Sequence, residues 1–205
     1  MRRLFKQSQN AEFPLPVLSD LVYGWANSWS VKPEYIAAFL RGAREAEGPI
    51  LECGSGLSTV LLGSVAQRTG NRVWSLEHDR AWATRTRDAL RRFGITSVEL
   101  CVSDLRDYGS YTWYDPPAAR LPTDFALVVC DGPPGQTPGG RYGLLPILGA
   151  HLKPGCTILL DDAARPMERE ALARWAHELG VESTIHGVDK PFAALVVPYV
   201  SNKGD

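Results

Sequence analysis

The chain has 205 residues, 44% of them hydrophobic and 22% charged, and a net charge of −1. That is one domain's worth of chain with a sizeable core, and the near-zero charge gives no global pull towards nucleic acid or an anionic membrane. No apolar run approaches a membrane span, and the first ten residues lack the apolar core of a signal peptide. A cytoplasmic location is expected, and so are buried free thiols: Cys53, Cys101, Cys130 and Cys156 form no Cys-x-x-Cys pair and each falls in or at the end of an expected strand internal to the sheet.

In chain order, Lys32–Ala46 reads as a helix with Tyr35, Ile36, Phe39 and Leu40 on one face and Pro33 in its first turn. Ile50–Cys53 is the first strand, followed by a helix over about Ser58–Arg68. Asn71–Glu77 is the second strand. Asp79 caps a helix in which Trp82, Thr86, Ala89, Leu90 and Phe93 share a face, and Gly94 ends it. Ser97–Val102 and the apolar run Phe125–Cys130 are strands three and four. Arg141–Leu152 reads as a helix that Pro146 kinks or opens, and Cys156–Leu160 as strand five. Pro166 opens and Gly180 closes a last helix, and Val181–His186 and Phe192–Val197 supply two more strands. This alternation predicts an α/β fold, a doubly wound, mostly parallel sheet of seven strands with helices on both faces. Its ligands belong beyond the carboxyl ends of the strands.

The strand ends carry the candidate chemistry. Glu52-Cys53-Gly54-Ser55-Gly56-Leu57-Ser58-Thr59 is a strand ending in an acid, a glycine turn and a helix start whose unpaired N–H groups face the same crevice. A dinucleotide fingerprint wants a third glycine where Thr59 stands, and Glu52 would repel a pyrophosphate and suit a cationic group. Strand two ends in Glu77-His78, a carboxylate placed to accept ribose hydroxyls, and strand three in Ser103-Asp104, partners for an adenine amino group. Asp131 ends strand four, and Asp161-Asp162 ends strand five. Three carboxylates in one crevice raise one another's pKa unless a cation compensates them, so Asp131, Asp161 and Asp162 are candidate ligands of Mg²⁺ or another divalent cation.

Glu52-x-Gly54-x-Gly56 resembles the first motif of class I S-adenosylmethionine-dependent methyltransferases. The later order, Asp131, Arg141-Tyr142 and Asp161-Asp162, is similar to that of the cation-dependent O-methyltransferases of the catechol type. The resemblance spans roughly residues 30–200 and implies a Rossmann-like single domain, with residues 1–46 as an amino-terminal helical extension over the site. It implies S-adenosylmethionine held by Glu52, Gly54, Ser55, Gly56 and Ser58 at its methionine part, Glu77 and His78 at the ribose, Ser103 and Asp104 at the adenine, and Asp131 where donor and acceptor meet. The expected reaction is methyl transfer to a small-molecule acceptor at oxygen, with Asp131 as the catalytic group, no nucleic-acid or membrane partner, and a homodimer left open. One departure matters: Pro134 stands where that family carries a catalytic lysine, leaving Asp131 or Lys190 as candidate bases. A non-catalytic cofactor-binding module therefore stays in view, while Glu52 and Thr59 argue against a nicotinamide-dependent oxidoreductase. Aromatic lids are open for Tyr23, Trp25 and Trp29 and for Tyr111, Trp113 and Tyr114, each with simple packing as the other reading. The Gly135–Gly140 segment reads as a mobile flap.

Overall fold

The computed structural model describes residues 31–199; Tyr23, Trp25 and Trp29 lie outside them. In chain order the elements are α1 (Pro33–Glu45), β1 (Ile50–Cys53), α2 (Leu57–Thr69), β2 (Val73–Glu77), α3 (Arg80–Phe93), β3 (Val98–Val102), β4 (Leu105–Asp107) and β5 (Thr112–Tyr114). After a 3₁₀ turn at Ala118–Arg120 come β6 (Phe125–Cys130), α4 (Leu144–Leu148), β7 (Leu152–Leu160), α5 (Pro166–Leu179), β8 (Thr184–His186) and β9 (Phe192–Val196). The main sheet has seven strands in the order β3-β2-β1-β6-β7-β9-β8, and β4 and β5 form a separate hairpin. The first five strands of that order run parallel, and β9 pairs antiparallel with both β7 and β8. The expected doubly wound α/β sheet is present.

The order reverses beside β1, so β1 and β6 lie side by side with Cys53 opposite Cys130. Chains leaving these two strands towards opposite sides open a crevice at their carboxyl ends. β6 is buried along its whole length, as a near-continuous apolar run should be when helices cover both faces. One core layer holds Leu51, Val128, Ile158, Trp113 and Trp175; the other holds α1 and α2 through Tyr35, Phe39, Leu61 and Leu62 against Ile50, Leu127 and Val129. α1 is thus a layer of the sandwich, with Tyr35 Oη donating to Leu159 O at 3.0 Å. The remainder of the expected 1–46 extension lies outside the described residues.

Helix ends follow the local chemistry. Asp79 accepts from Trp82 N at 2.8 Å, and Gly94 takes a left-handed conformation that returns its N–H to the last turn. Pro166 stands in the first turn of α5 and left-handed Gly180 stops it.

Four expectations change. β7 begins at Leu152, because a register shift between Phe125 and Leu127 absorbs Pro154 and Gly155. The expected Arg141–Leu152 helix is broken into turns, a short α4 around Pro146 and a 3₁₀ turn over Gly149–His151. Cys53, Cys130 and Cys156 are buried free thiols, but Cys101 lies on the edge strand β3 and is only partly covered. Phe93, expected on the packed face of its helix, is 42% exposed.

Candidate functional site

The turn after β1 is built by two close approaches. Gly54 has φ +88°, and a Cβ there would fall 3.0 Å from Gly132 N; a Cβ on Gly132 would fall 2.3 Å from Tyr114 Oη. Only glycine at both positions lets the β1 and β6 exits pack backbone against backbone.

Glu52 is fully enclosed beneath this turn. Its Oε2 accepts from Thr59 Oγ1 and Ser75 Oγ, each at 2.6 Å, while Thr59 Oγ1 accepts from Gly56 N at 2.8 Å. The chain Gly56–Thr59–Glu52–Ser75 ties the glycine loop to β2. It also gives Thr59, standing where a dinucleotide loop has its third glycine, a defined role. Glu52 Oε1 makes no hydrogen bond of good geometry, and the Ser58 hydroxyl is the strongest pull on the carboxyl against its burial. Burial pushes the Glu52 carboxyl up to about 7 against the opposing pull of neighbouring hydroxyls.

Glu77, 4% exposed, holds the loop from the other side. Its Oε2 accepts from Ser55 N at 3.0 Å and Ser55 Oγ at 2.8 Å, and its Oε1 from Asp79 N at 2.8 Å. Each carboxylate oxygen has two lone pairs, so a ribose hydroxyl at Glu77 would compete with Ser55 or use the remaining capacity of Oε1. That capacity faces His78, whose Nδ1 stands 3.1 Å away. Trp82 Nε1 donates to Ser55 O at 2.6 Å and covers Gly56. The sequence had placed Trp82 on the packed face of its helix; its position one turn after the capping Asp79 was the signal that it would reach back over the loop.

At the end of β3, Ser103 is 2% exposed with an unpartnered Oγ. Asp104 points to solvent, its side chain 73% exposed and 3.3 Å from Arg80. Of the two adenine candidates, Ser103 is the buried one. Ser58 is buried in the first turn of α2.

The aromatic residues before β6 are packing, with Trp113 and Tyr114 fully buried. The segment 135–140 is a chain of turns, tied by Gly140 N to Thr137 O at 2.8 Å and Thr112 N to Pro138 O at 2.8 Å, with Gly139 against Tyr111. It is not the free flap its composition suggested.

Beyond β6 and β7 the three expected carboxylates do converge: oxygens of Asp131, Asp161 and Asp162 lie within 4.8 Å of one another. Cations of the chain itself already fill the space. Arg141, 1% exposed, donates from Nη1 to Asp161 O at 2.5 Å and Cys130 O at 3.2 Å. Its Nη2 donates to Asp131 O and Oδ1, both at 3.1 Å, and to Asp162 Oδ2 at 2.9 Å. Lys190 Nζ lies 2.5 Å from Asp161 Oδ2 and 3.1 Å from Asp162 Oδ1, and Arg165 Nη1 lies 2.9 Å from Asp162 Oδ2. Asp162 N donates to Asp161 Oδ1 at 2.8 Å. Asp131 Oδ2 is the one carboxylate oxygen that none of these contacts uses. A divalent cation takes its ligands from free oxygens, and here it would have to displace an ammonium and two guanidiniums. The residues present do not fit a metal.

The charges follow. Burial and then Asp161 push Asp131 up to about 8, against the pull of Arg141 and Lys190. Burial would raise Asp162 too, but Arg141, Lys190 and Arg165 hold it below the usual carboxylate value. Burial would lower Lys190, but Asp161 and Asp131 keep it above its ordinary value, so it is an ammonium.

A methyltransferase-domain family model matches residues 51–163, which run from β1 through the Asp161-Asp162 corner. A search of curated proteins finds no match. Among solved structures, the precorrin-6y C5,15-methyltransferase from Geobacter metallireducens superposes with a TM-score of 0.66 at 16% identity, covering 85% of this chain and 92% of that one. The O-methyltransferase from Bacillus cereus, solved with S-adenosylhomocysteine, gives 0.58 at 17% identity over 96% and 97%. The O-methyltransferase TomG from Streptomyces achromogenes, solved with S-adenosylmethionine, gives 0.58 at 17% identity over 96% of each chain. At such identities the structures share a fold. The family match covers more than half of the chain, and the chain belongs to the methyltransferase-domain family.

Proposed function

We propose that this enzyme transfers the methyl group of S-adenosylmethionine to a small-molecule acceptor, at oxygen. The observation that carries the reading is the loop at the β1 end, strapped by Glu52 and Glu77 and opening beside Asp131. When bound, S-adenosylmethionine supplies a sulfonium methyl and brings an ammonium but no phosphate, which suits a crevice floored by two acids. The turn at Gly54, Ser55 and Gly56 with the α2 start at Ser58 holds the methionine part, Glu77 and His78 the ribose, and Ser103 the adenine, with Asp104 at the rim. The unpartnered Ser103 Oγ supports this, because a buried polar atom without a partner calls for a ligand or water.

Asp131 is the proton acceptor in this reading. Its Oδ2 is uncommitted, and a carboxyl raised to about 8 binds a released proton well, its ionised, proton-accepting form growing as pH rises towards 8. The relatives support oxygen as the acceptor atom through the two O-methyltransferases among them, while the precorrin enzyme shows that the fold serves other acceptors. The test is transfer of a labelled methyl to a panel of mono- and dihydric phenols. Asp131→Asn should lower turnover about 100-fold or more and leave the affinity for S-adenosylhomocysteine within about twofold, since the cofactor contacts lie on β1 to β3. Equal turnover by Asp131→Asn would remove Asp131 as the base.

A further inference from the structure

The carboxylate corner contains a feature that a methyl-transfer site built on a metal would lack. Lys190, on the turn between β8 and β9 beside the end of β7, sets its ammonium between Asp161 and Asp162. The partner carboxylates are themselves fixed: Asp161 is fully buried, and Asp162 is held at φ +57° by two arginines and the Asp161 side chain. An ammonium has three donors. Two are spent on these aspartates, and the side chain keeps 22% of its surface exposed.

We propose that Lys190 occupies the place of a divalent cation, its third N–H meeting the acceptor oxygen, so that this enzyme transfers the methyl group without metal. This rests on the methyltransferase reading above. The acceptor hydroxyl gives its proton to Asp131 Oδ2 while its oxygen accepts the Lys190 hydrogen bond. The oxygen–methyl bond forms as the methyl–sulfur bond breaks, and the electron pair of that bond stays on sulfur. The positive charge of the sulfonium is thereby cancelled, and Asp131 carries the released proton. Lys190 is unchanged at the end; its part is to orient the oxygen and stabilise the charge that develops on it. The same reading accounts for Pro134. With the ammonium delivered from the β8–β9 turn, a lysine in the segment after Asp131 is not needed.

The placement has a physical logic. The carboxylates of this corner are already matched by Arg141, Arg165 and Lys190, which a metal would have to displace, whereas a hydroxyl oxygen is a neutral acceptor that an ammonium can grip. Arg141 meanwhile pins Asp131 and Asp162 from beneath and Arg165 is bound to Asp162 beside Gly135, whereas Lys190 bridges Asp161 and Asp162 with one N–H to spare.

The experiment combines metal binding, which does not depend on knowing the acceptor, with kinetics. Wild-type protein saturated with S-adenosylhomocysteine should show no heat of binding with Mn²⁺ or Mg²⁺, and EDTA should leave transfer to the phenol panel unchanged. Lys190→Met leaves the buried Asp161 without its cation, so the double variant Lys190→Met/Asp161→Asn is measured beside it. Either should lose about 100-fold in kcat for the acceptor, with S-adenosylhomocysteine affinity unaltered, and Lys190→Arg should recover part of the loss. Micromolar Mn²⁺ binding by the wild type, activity lost in EDTA and restored by Mg²⁺, or a double variant with unchanged kcat would each overturn the proposal. Failure to bind S-adenosylhomocysteine at all would instead overturn the methyltransferase reading beneath it. If the cofactor binds and no phenol is methylated, the choice of acceptor is wrong, and Mn²⁺ binding by the wild type would still overturn the metal-free reading.

Discussion

At the scale of single residues, Glu52 does more than the turn motif suggested. Its sequence position, two before a glycine, identified a negative end to β1, but not that the carboxylate would be fully enclosed and used to hold Thr59 and Ser75. The enclosure has a consequence for stability. The carboxyl rises from 4.5 to about 7 on folding, so between those values the folded chain binds the proton that the unfolded chain releases. Its stabilising contribution is complete below about pH 4.5 and is lost as pH rises through 7, a span of about 3 kcal/mol at 1.36 kcal/mol per unit. Asp131, raised to about 8, acts in the same direction. Glu52→Gln keeps an oxygen for Thr59 and Ser75 but cannot ionise. Its melting temperature should therefore fall less between pH 5 and 8 than that of the wild type, and equal slopes would show that Glu52 does not carry the effect. The carboxylate corner was legible only in part: the three aspartates were visible at strand ends, and Arg165 stands three residues after Asp162, whereas no local spacing links Lys190 to Asp161 and only the fold brings those two together.

At the scale of elements, the alternation of apolar runs with glycine and proline stops placed β1, β6 and α5 within a residue or so of their observed bounds. The β4–β5 hairpin was missed because its strands have three residues each, too short for alternation to register. Yet this hairpin anchors the site. Tyr114 Oη approaches Gly132, and Trp113 packs against Gly143, where a Cβ would lie 2.3 Å from the indole. Trp113 is among the largest fully buried side chains, so Trp113→Ala should cost about 4 kcal/mol in urea unfolding. A cost below about 1 kcal/mol would mean that the hairpin is a surface decoration.

At the scale of the whole molecule, the parallel sheet with crossovers on both faces was legible because both its fully buried strands and its covering helices leave strong apolar signatures. The rank of strands across the sheet left no such trace, which is why Cys101 was expected inside it and lies on its edge. Native thiol titration should therefore label Cys101 before the other three, and slowly, because burial lifts its thiol to about 11. Labelling of Cys53 or Cys130 first would contradict the central pairing of β1 with β6. Among the described residues no helix is long and apolar enough to cross a membrane.

Whether the β1 and β6 ends hold an adenosyl sulfonium cofactor is decided by calorimetric titration of the wild type and Glu77→Ala with S-adenosylhomocysteine and NAD. The wild type should bind S-adenosylhomocysteine at micromolar levels, about −8 kcal/mol, weakened by about 2 kcal/mol in Glu77→Ala through the lost hydrogen bonds, and should not bind NAD. Tight NAD binding, or no S-adenosylhomocysteine binding by the wild type, would contradict that cofactor assignment.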